Sequence, residues 1–377
     1  MHWNKKLLKH INIYIPILVL SLIIIGLFII SSATGMADGN HQPFIRTQIA
    51  ATVLGIILII IMMFFDYRIL KDYDFIIYFL TIIMLGFIFI LGITVSGGRR
   101  WLSIGPVNFQ PSEVSKILMI IFLAAYLDRN KNKLNNLKDL FRSLLFILPP
   151  FILIILQNDL GTSLVLIFIF VVMYYGAGGN LKHILMIFGG GFLIVVLIIT
   201  SHVMFETPLP FLQQYQLNRL IAFVNPDIDP YGIGYNIIQS KIAVGSGMIT
   251  GRGYLAGTQT QLNFLPEKHT DFIFAVLAEE FGFIGVAVVL IIYLLLLLQI
   301  LKVAARAKDR FGQLIAIGVL GLFLFHILEN IGMVLGIMPI TGIPLPFISY
   351  GGSFMVISLI AIGLIININM RRKKIIF

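Results

Sequence analysis

The sequence predicts an all-α polytopic membrane protein of about ten transmembrane helices with a large extracytoplasmic loop between helices 7 and 8. Three observations predict it. Of the 377 residues, 59% are hydrophobic and only 12% charged, and the mean hydropathy is +0.99, a composition no ordinary soluble domain has. Apolar runs near twenty residues or longer, enough to cross a hydrocarbon core, recur along the whole chain. The basic residues also sort to one side, as short cytoplasmic loops require.

In chain order the predicted spans are 13–30, 45–65, 75–95, 112–127, 144–156, 160–175, 184–203, 272–301, 312–338 and 351–370. The run at 144 is short for a crossing, and Pro149 and Pro150 interrupt it. Lys5, Lys6 and Lys9 precede the first run like the charged region of a signal peptide, but that run is nearer a full span than a short leader core, so it is read as the first transmembrane helix. No soluble domain or repeat interrupts the pattern. Residues 1–377 form one integral membrane domain, and residues 204–270 form its large loop. The first half of that loop carries turn chemistry in Pro208, Pro210, Pro226, Pro230, Gly232 and Gly234. From 235 to 248 the spacing predicts a short helix lying on or dipping into the membrane.

With the N-terminus inside, the cytoplasmic segments carry Lys5, Lys6, Lys9, Arg68, Lys71, Arg129, Lys131, Lys133, Lys138, Arg142, Lys182, Lys302, Arg306, Lys308, Arg310, Arg371, Arg372, Lys373 and Lys374. The remaining basic residues, Arg46, Arg99, Arg100, Lys116, Arg219, Lys241, Arg252 and Lys268, fall on or near the outer side against the rule. The net charge of +10 is thereby accounted for by orientation and by anionic headgroups; nucleic acid is not implied. Zero cysteines exclude disulfides, cysteine nucleophiles and thiolate metal sites.

Four clusters carry polar chemistry. In GTQTQLNFLPEKHTDFIFAVLAEEFG, 257–282, the residues Glu267, Lys268, His269 and Asp271 sit at the mouth of an apolar run, and Glu279 and Glu280 lie within it. Ionisable groups at that depth are costly unless they pair or face a polar cavity. On an ideal helix Glu280 lies nearly opposite Asp271, with Glu279 nearer. Asp271 has two readings from its position: a cap for the eighth span with Thr270, or a functional carboxylate. In GGRRWLSIGPVNFQPSEVSK, 97–116, Arg99 and Arg100 beside Trp101 either grip a phosphate or pyrophosphate with forked hydrogen bonds or anchor the interface. Ser112 is placed as a helix N-cap, and Glu113 and Lys116 share a helix face as an ion pair or as cavity groups. In QNDLGTS, 157–163, Asp159 is a cap or more than a cap. PITGIPLPFISYGGS, 339–353, is a fixed irregular turn before the last span. Glu329 is a further buried carboxylate.

RRWLSIGPVNFQPSE, QNDLGTS, GTQTQLNFLPEKHTDFIFAVLAEE and PITGIPLPFISYGGS, in this order, resemble the motifs of the SEDS family of bacterial cell-wall polymerases. GTQTQLNFLPEKHTDF and TGIPLPFISYGGS are more similar to its rod-shape branch than to its division branch. Two departures are visible: the family usually has Pro where this chain has Asn158, and a second Ser where it has Phe354.

The resemblance implies a peptidoglycan glycosyltransferase of the bacterial cytoplasmic membrane. Both termini would be cytoplasmic and the active site extracytoplasmic. The enzyme would join lipid II to a nascent lipid-linked glycan, with a class B penicillin-binding protein and other elongation-complex proteins as partners. It implies Asp271 as an inverting general base. Arg46, Arg99, Arg100, Lys116 and Lys241 are then candidates for the pyrophosphate, Trp101 for sugar or lipid, and Glu267 and His269 for substrate contacts beside the base. Glu113 and Asp159 either position basic groups or hold a divalent cation such as Mg²⁺ or Mn²⁺; no metal or other cofactor is established by sequence. A lipid II transporter and a scaffold are the rival readings. The gathering of motif charges on one face separates a polymerase from a transporter, whose ionisable groups would line a path through the bilayer.

Overall fold

The computed structural model describes residues 12–35, 42–95, 98–104, 107–131, 134, 136–191, 193, 196–197, 200–201, 219, 222–228 and 232–372. Lys5, Lys6, Lys9, Lys133, Lys373 and Lys374, the turn residues Pro208, Pro210 and Pro230, and most of the seventh span's C-terminal half lie outside the described residues.

The elements run α1 (Tyr14–Ala33), α2 (Gln42–Phe64), a 3₁₀ turn (Tyr67–Lys71), α3 (Asp74–Leu91), β1 (Ile93–Val95), β2 (Gly98–Ile104), β3 (Val107–Phe109), α4 (Pro111–Arg129), α5 (Leu137–Leu156), α6 (Leu160–Gly176), α7 (Leu181–Ile184), α8 (Ile233–Ser246), α9 (Thr258–Gln261), α10 (Ile273–Ala305), α11 (Arg310–Leu335) and α12 (Gly352–Met370). Among the described residues, seven helices are long and apolar enough to cross a membrane: α1, residues 43–64 of α2, α3, α5, α10, α11 and α12. Two more described helices belong to the bundle. α6 is apolar but shorter, and α4 is a 19-residue helix that buries Ser112, Glu113, Ser115 and Lys116. Of the seventh predicted span, 184–203, the described part is the end of α7, the π-helical turn Leu185–Gly189 and the helical residues 190–191, 193, 196–197 and 200–201.

The arrangement suits a lipid solvent. Large apolar side chains such as Phe79, Ile83, Ile90 and Leu91 are exposed, while Lys116, Glu279, Glu280, His326 and Asn330 are buried. Ionisable groups in a spanning bundle face its interior because hydrocarbon cannot solvate them. α10 packs on α1 and α11, α12 on α2, and α11 on α4 and α6.

Three expectations change. The fifth span is not a short run: α5 continues through Pro149 and Pro150 over 20 residues, since lost backbone bonds in a membrane helix are made good by its surroundings. The eighth span is not one straight helix. α10 breaks at Gly282, where φ is +62° and ψ −164°, and residues 248–253 fill the break. The carbonyls of Glu279 and Glu280 accept the N–H groups of Arg252 and Gly253, both at 3.0 Å, and the N–H groups of Phe283 and Ile284 donate to Met248 and Ile249 at 2.9 and 3.1 Å. These four groups at the break thus have partners. Finally, the third span ends before 95: α3 stops at Leu91, and 93–95 is the first strand of a small antiparallel sheet, in the order β1-β2-β3, that precedes α4.

The helix predicted over 235–248 is α8, which packs on α10 and α11 and buries Ile237, Ser240 and Ala243. The bundle has two distinct polar ends. One carries ion pairs of Arg68 with Asp309 at 3.0 Å, Lys71 with Asp128 at 2.6 Å, and Arg129 with Asp74. The other carries the sheet, α9 and the motif loops.

Candidate active site

Asp271 lies just outside α10, whose cap position is Phe272 with no side-chain cap bond. The capping reading of Asp271 and Thr270 is therefore wrong: the Thr270 hydroxyl donates instead to the carbonyl and to Oε2 of Glu267, both at 3.2 Å. The strand of chain that holds Asp271 is anchored through its backbone. Asn330 Nδ2 donates to the Asp271 carbonyl at 2.8 Å, Ser349 Oγ to the Thr270 carbonyl at 2.7 Å, and the Tyr350 N–H to the His269 carbonyl at 2.9 Å. Among the described residues, the Asp271 carboxylate itself accepts no hydrogen bond, so it is held in place while its oxygens stay available.

Burial pushes the Asp271 carboxyl up to about 6, and the Glu267 charge adds to the rise; Arg219 and Arg100 oppose it, and Asp159 contributes a little more. Arg100, Asp159 and Arg219 come from distant parts of the chain, which the fold brings near Asp271. His269 is pushed down by burial, with Glu267 acting against that and Lys268 with it. Its ring meets Phe44 edge-on at 4.9 Å and lies 5.6 Å from Tyr350. Arg46, two residues beyond Phe44, is exposed at the start of α2.

The irregular turn 339–353 forms the wall behind Asp271. Gly342 has φ +75°, a conformation that favours glycine, and a β-carbon there would stand 3.1 Å from Asp271 Oδ2. α11 clamps this turn from below: Asn330 Nδ2 donates to the Ile343 carbonyl at 2.7 Å, and the Thr341 hydroxyl donates to Glu329 at 2.9 Å. Arg219 Nη1 donates to the Thr341 carbonyl at 3.1 Å. Gln48 of α2 holds the far end, donating to the Ser349 carbonyl and accepting the Gly351 N–H.

The two adjacent arginines do not act as one fork. Successive residues on a strand point to opposite faces, and on β2 Arg99 and Arg100 part company. Arg99 turns back onto the end of α3, donating to the carbonyls of Phe89, Ile90 and Gly92 at 2.7, 3.0 and 2.7 Å, a favourable place for a cation at a helix C-terminus. Arg100 turns toward α6, donating to the carbonyls of Gln157 and Asn158, with Nη1 4.0 Å from Asp159. Trp101 is half-buried and pairs with Ile93 across the sheet. Asn158, one of the two departures from the family pattern, has φ +64°. A proline ring cannot adopt that angle, so the loop before Asp159 differs locally from that pattern.

Asp159 does cap α6, accepting the Thr162 N–H at 3.2 Å and the Thr162 hydroxyl at 3.0 Å. It also accepts from Gln110 at 3.1 Å and Ser112 at 3.3 Å. Ser112 is therefore not an N-cap: α4 begins at Pro111, with Gln110 in the cap position, and the serine bonds across to α6. Glu113 and Lys116 form an ion pair of 2.8 Å, both buried. Lys241, exposed on α8, lies against Gly336 at the C-terminus of α11. Within α10, Glu279 accepts the N–H groups of Gln259 and Thr260 and so caps α9, and Glu280 accepts the Ser32 hydroxyl. Neither reaches Asp271.

The residues offered for a divalent cation do not fit one. Glu113 faces the Lys116 ammonium, and Asp159 is ringed by hydrogen-bond donors, a setting that repels a cation. Among the described residues, no three His, Asp or Glu side chains group to hold a metal.

Asn330, Gln48 and Gly342 were absent from the expected site. Asn330 lies inside an apolar run next to Glu329, and that spacing was the signal available for it. Gln48 carried none, because a backbone-anchoring amide has no distinctive pattern, whereas Gly342 lay within the irregular turn 339–353 singled out by sequence.

The chain is similar to several known proteins. The model of the FtsW, RodA and SpoVE family, described as cell cycle proteins, matches residues 13–374. The chain is 35% identical over 373 residues to the peptidoglycan glycosyltransferase MrdB of Escherichia coli K12, covering 98% of this chain and 96% of that protein. It is 34% identical to the peptidoglycan glycosyltransferase RodA of Treponema pallidum, covering 94% and 96%. Among solved structures, a chain from a peptidoglycan synthase complex superposes with a TM-score of 0.78 at 28% identity, covering 95% and 97%. The rod shape determining protein RodA of Thermus thermophilus superposes with 0.71 at 26%, covering 97% and 98%. The chain belongs to the SEDS family, the FtsW, RodA and SpoVE family of polytopic membrane proteins.

Proposed function

We propose that this protein is a peptidoglycan glycosyltransferase that polymerises lipid II for cell elongation and rod shape, with Asp271 as general base. The observation that carries the mechanism is Asp271 itself: its backbone is fixed by Asn330 and Ser349, its oxygens are unbonded among the described residues, and its carboxyl is raised to about 6. A base with that value is ionised at neutral pH yet far more basic than an ordinary aspartate, which suits it to take a proton in the transition state.

In the reaction, the acceptor sugar's 4-hydroxyl oxygen attacks the donor's anomeric carbon. The α-linked bond from that carbon to the pyrophosphate oxygen breaks, a β-1,4 bond forms with inversion, and the hydroxyl proton passes to Asp271. Pyrophosphate leaves without a second carboxylate as acid when cations meet its developing charge. Arg100 and Arg219, the two guanidiniums whose charges reach Asp271, are placed for that role. Asp159 aligns Arg100 by capping α6 beside it. The end of the bundle that carries Asp271 faces outward in this reading, and the ion-paired end lies in the cytoplasm, as the basic residues of the short loops support. A class B penicillin-binding protein is the proposed transpeptidase partner, in keeping with the synthase complex that contains a related chain.

The test is polymerisation of lipid II by the purified protein, with and without the transpeptidase. Glycan strands in either condition support the enzyme. No product in both, with lipid II instead crossing liposome bilayers that hold the protein, would move the assignment to transport.

A further inference from the structure

His326 belongs to none of the sequence motifs, yet it is buried between the two halves of the site. It sits on α11, one helical turn before Asn330. Its Nδ1 lies 3.1 Å from the Pro344 carbonyl oxygen and its Nε2 lies 3.2 Å from Lys116 Nζ. The ring stacks on Phe354 with centroids 5.0 Å apart and 26° between planes, and Lys116 Nζ stands 5.6 Å over the same Phe354 ring.

These partners determine the tautomer. A carbonyl oxygen only accepts, so Nδ1 carries the proton; an ammonium only donates, so Nε2 offers its lone pair. The imidazole is therefore neutral, with both nitrogens used, and its orientation is doubly fixed. The chain of contacts runs from Glu113 through Lys116 and His326 to Pro344, two residues from Gly342 behind the Asp271 carboxylate. Asn330, on the same face of α11, holds Ile343 and the Asp271 carbonyl.

We infer that His326 is a positioning residue for the reaction: it ties the buried Glu113–Lys116 ion pair to the Pro344 carbonyl and so fixes the turn against which Asp271 is set. Lys116 serves this purpose from inside the bundle. Its ammonium is engaged by Glu113, His326 and the Phe354 face, which removes it from the set of direct pyrophosphate contacts. The inference rests on the glycosyltransferase reading above, since the turn matters to catalysis only if Asp271 does.

The test compares wild type with His326→Phe, His326→Asn and His326→Gln in the full-length protein, measuring initial polymerisation rates over a range of lipid II, with Asp271→Asn as reference. His326→Phe keeps the stack and loses both nitrogens, so kcat falls about tenfold to a hundredfold, the range for slight misplacement of a reacting group, while KM stays within about twofold. His326→Asn, which keeps only a donor toward Pro344, and His326→Gln, which keeps only an acceptor toward Lys116, each sever the tie on one side and recover kcat only in part. Wild-type kcat in His326→Phe, or a rise in KM alone, overturns the inference. Activity retained in Asp271→Asn would contradict the general-base reading instead. A second measurement is independent of any variant's activity. ¹⁵N NMR of histidine-labelled wild type, with the His326 signals assigned by their loss in His326→Asn, should show a protonated Nδ1 and an unprotonated Nε2. The opposite tautomer, or a doubly protonated ring, overturns it.

Discussion

Gly342 stands directly behind Asp271: a β-carbon added to it would lie 3.1 Å from Oδ2. Its φ of +75° adds a second constraint, so a side chain there strains the backbone and presses the Asp271 carboxylate to shift by a few tenths of an ångström. Gly342→Ala should cost about 1 to 2 kcal/mol of stability from the left-handed backbone. It should also lower kcat by displacing the carboxylate. Melting temperature and initial rate on one preparation check the two effects together.

The pH dependence follows from the charges around Asp271. Its carboxyl must be ionised to act as base, so activity rises with pH through about 6. Glu267 is the second cause of that raised value after burial, so removing its charge eases ionisation. Glu267→Gln should shift the acidic limb of the kcat profile to lower pH. An unmoved limb would show that Glu267 does not act on the base.

Arg99 and Arg100 should fail differently when truncated. Arg99→Ala frees three carbonyls at the end of α3 and should lower the melting temperature by a few degrees with KM unchanged. Arg100→Ala removes a charge felt at Asp271, and should lower kcat with a smaller effect on melting. Parallel melting curves and lipid II titrations on both variants check this.

Asp159→Asn separates a cap from a charge. Asparagine caps a helix about as well as aspartate, so the melting temperature should hold within a few degrees. Activity should still fall, because Arg100 loses its carboxylate neighbour.

Much of this was legible in the sequence, for identifiable reasons. Hydrocarbon demands long apolar helices, so the spans stood out, and a carboxylate at the mouth of one, as Asp271 is, stood out because lipid does not tolerate it unpaired. What stayed hidden depends on contacts between distant segments. The break in α10 at Gly282 reads as a glycine in an apolar run, and only the backbone bonds from residues 248–253 make it a stable interruption. The parting of Arg99 from Arg100 required knowing that they lie on a strand, and the run 93–109 has no clean alternation to reveal one. The ideal-helix argument for Glu279 failed because Asp271 is not in the helix at all. His326 was hidden by its surroundings: a single histidine among leucines and phenylalanines has no pattern, and its partners Lys116 and Pro344 are supplied by other elements.

Asp271→Asn tests the central claim most directly. The raised carboxyl means that the folded state holds its proton more tightly than the unfolded chain, so Asp271 contributes most to stability below about 4 and loses that contribution as pH rises through about 6. Asparagine removes the buried charge, so the variant should melt at or above the wild-type temperature at pH 7.5. Lipid II polymerisation by this well-folded variant should fall about a hundredfold or more, the scale of a lost general base. Wild-type rates of glycan synthesis from folded Asp271→Asn would contradict the account.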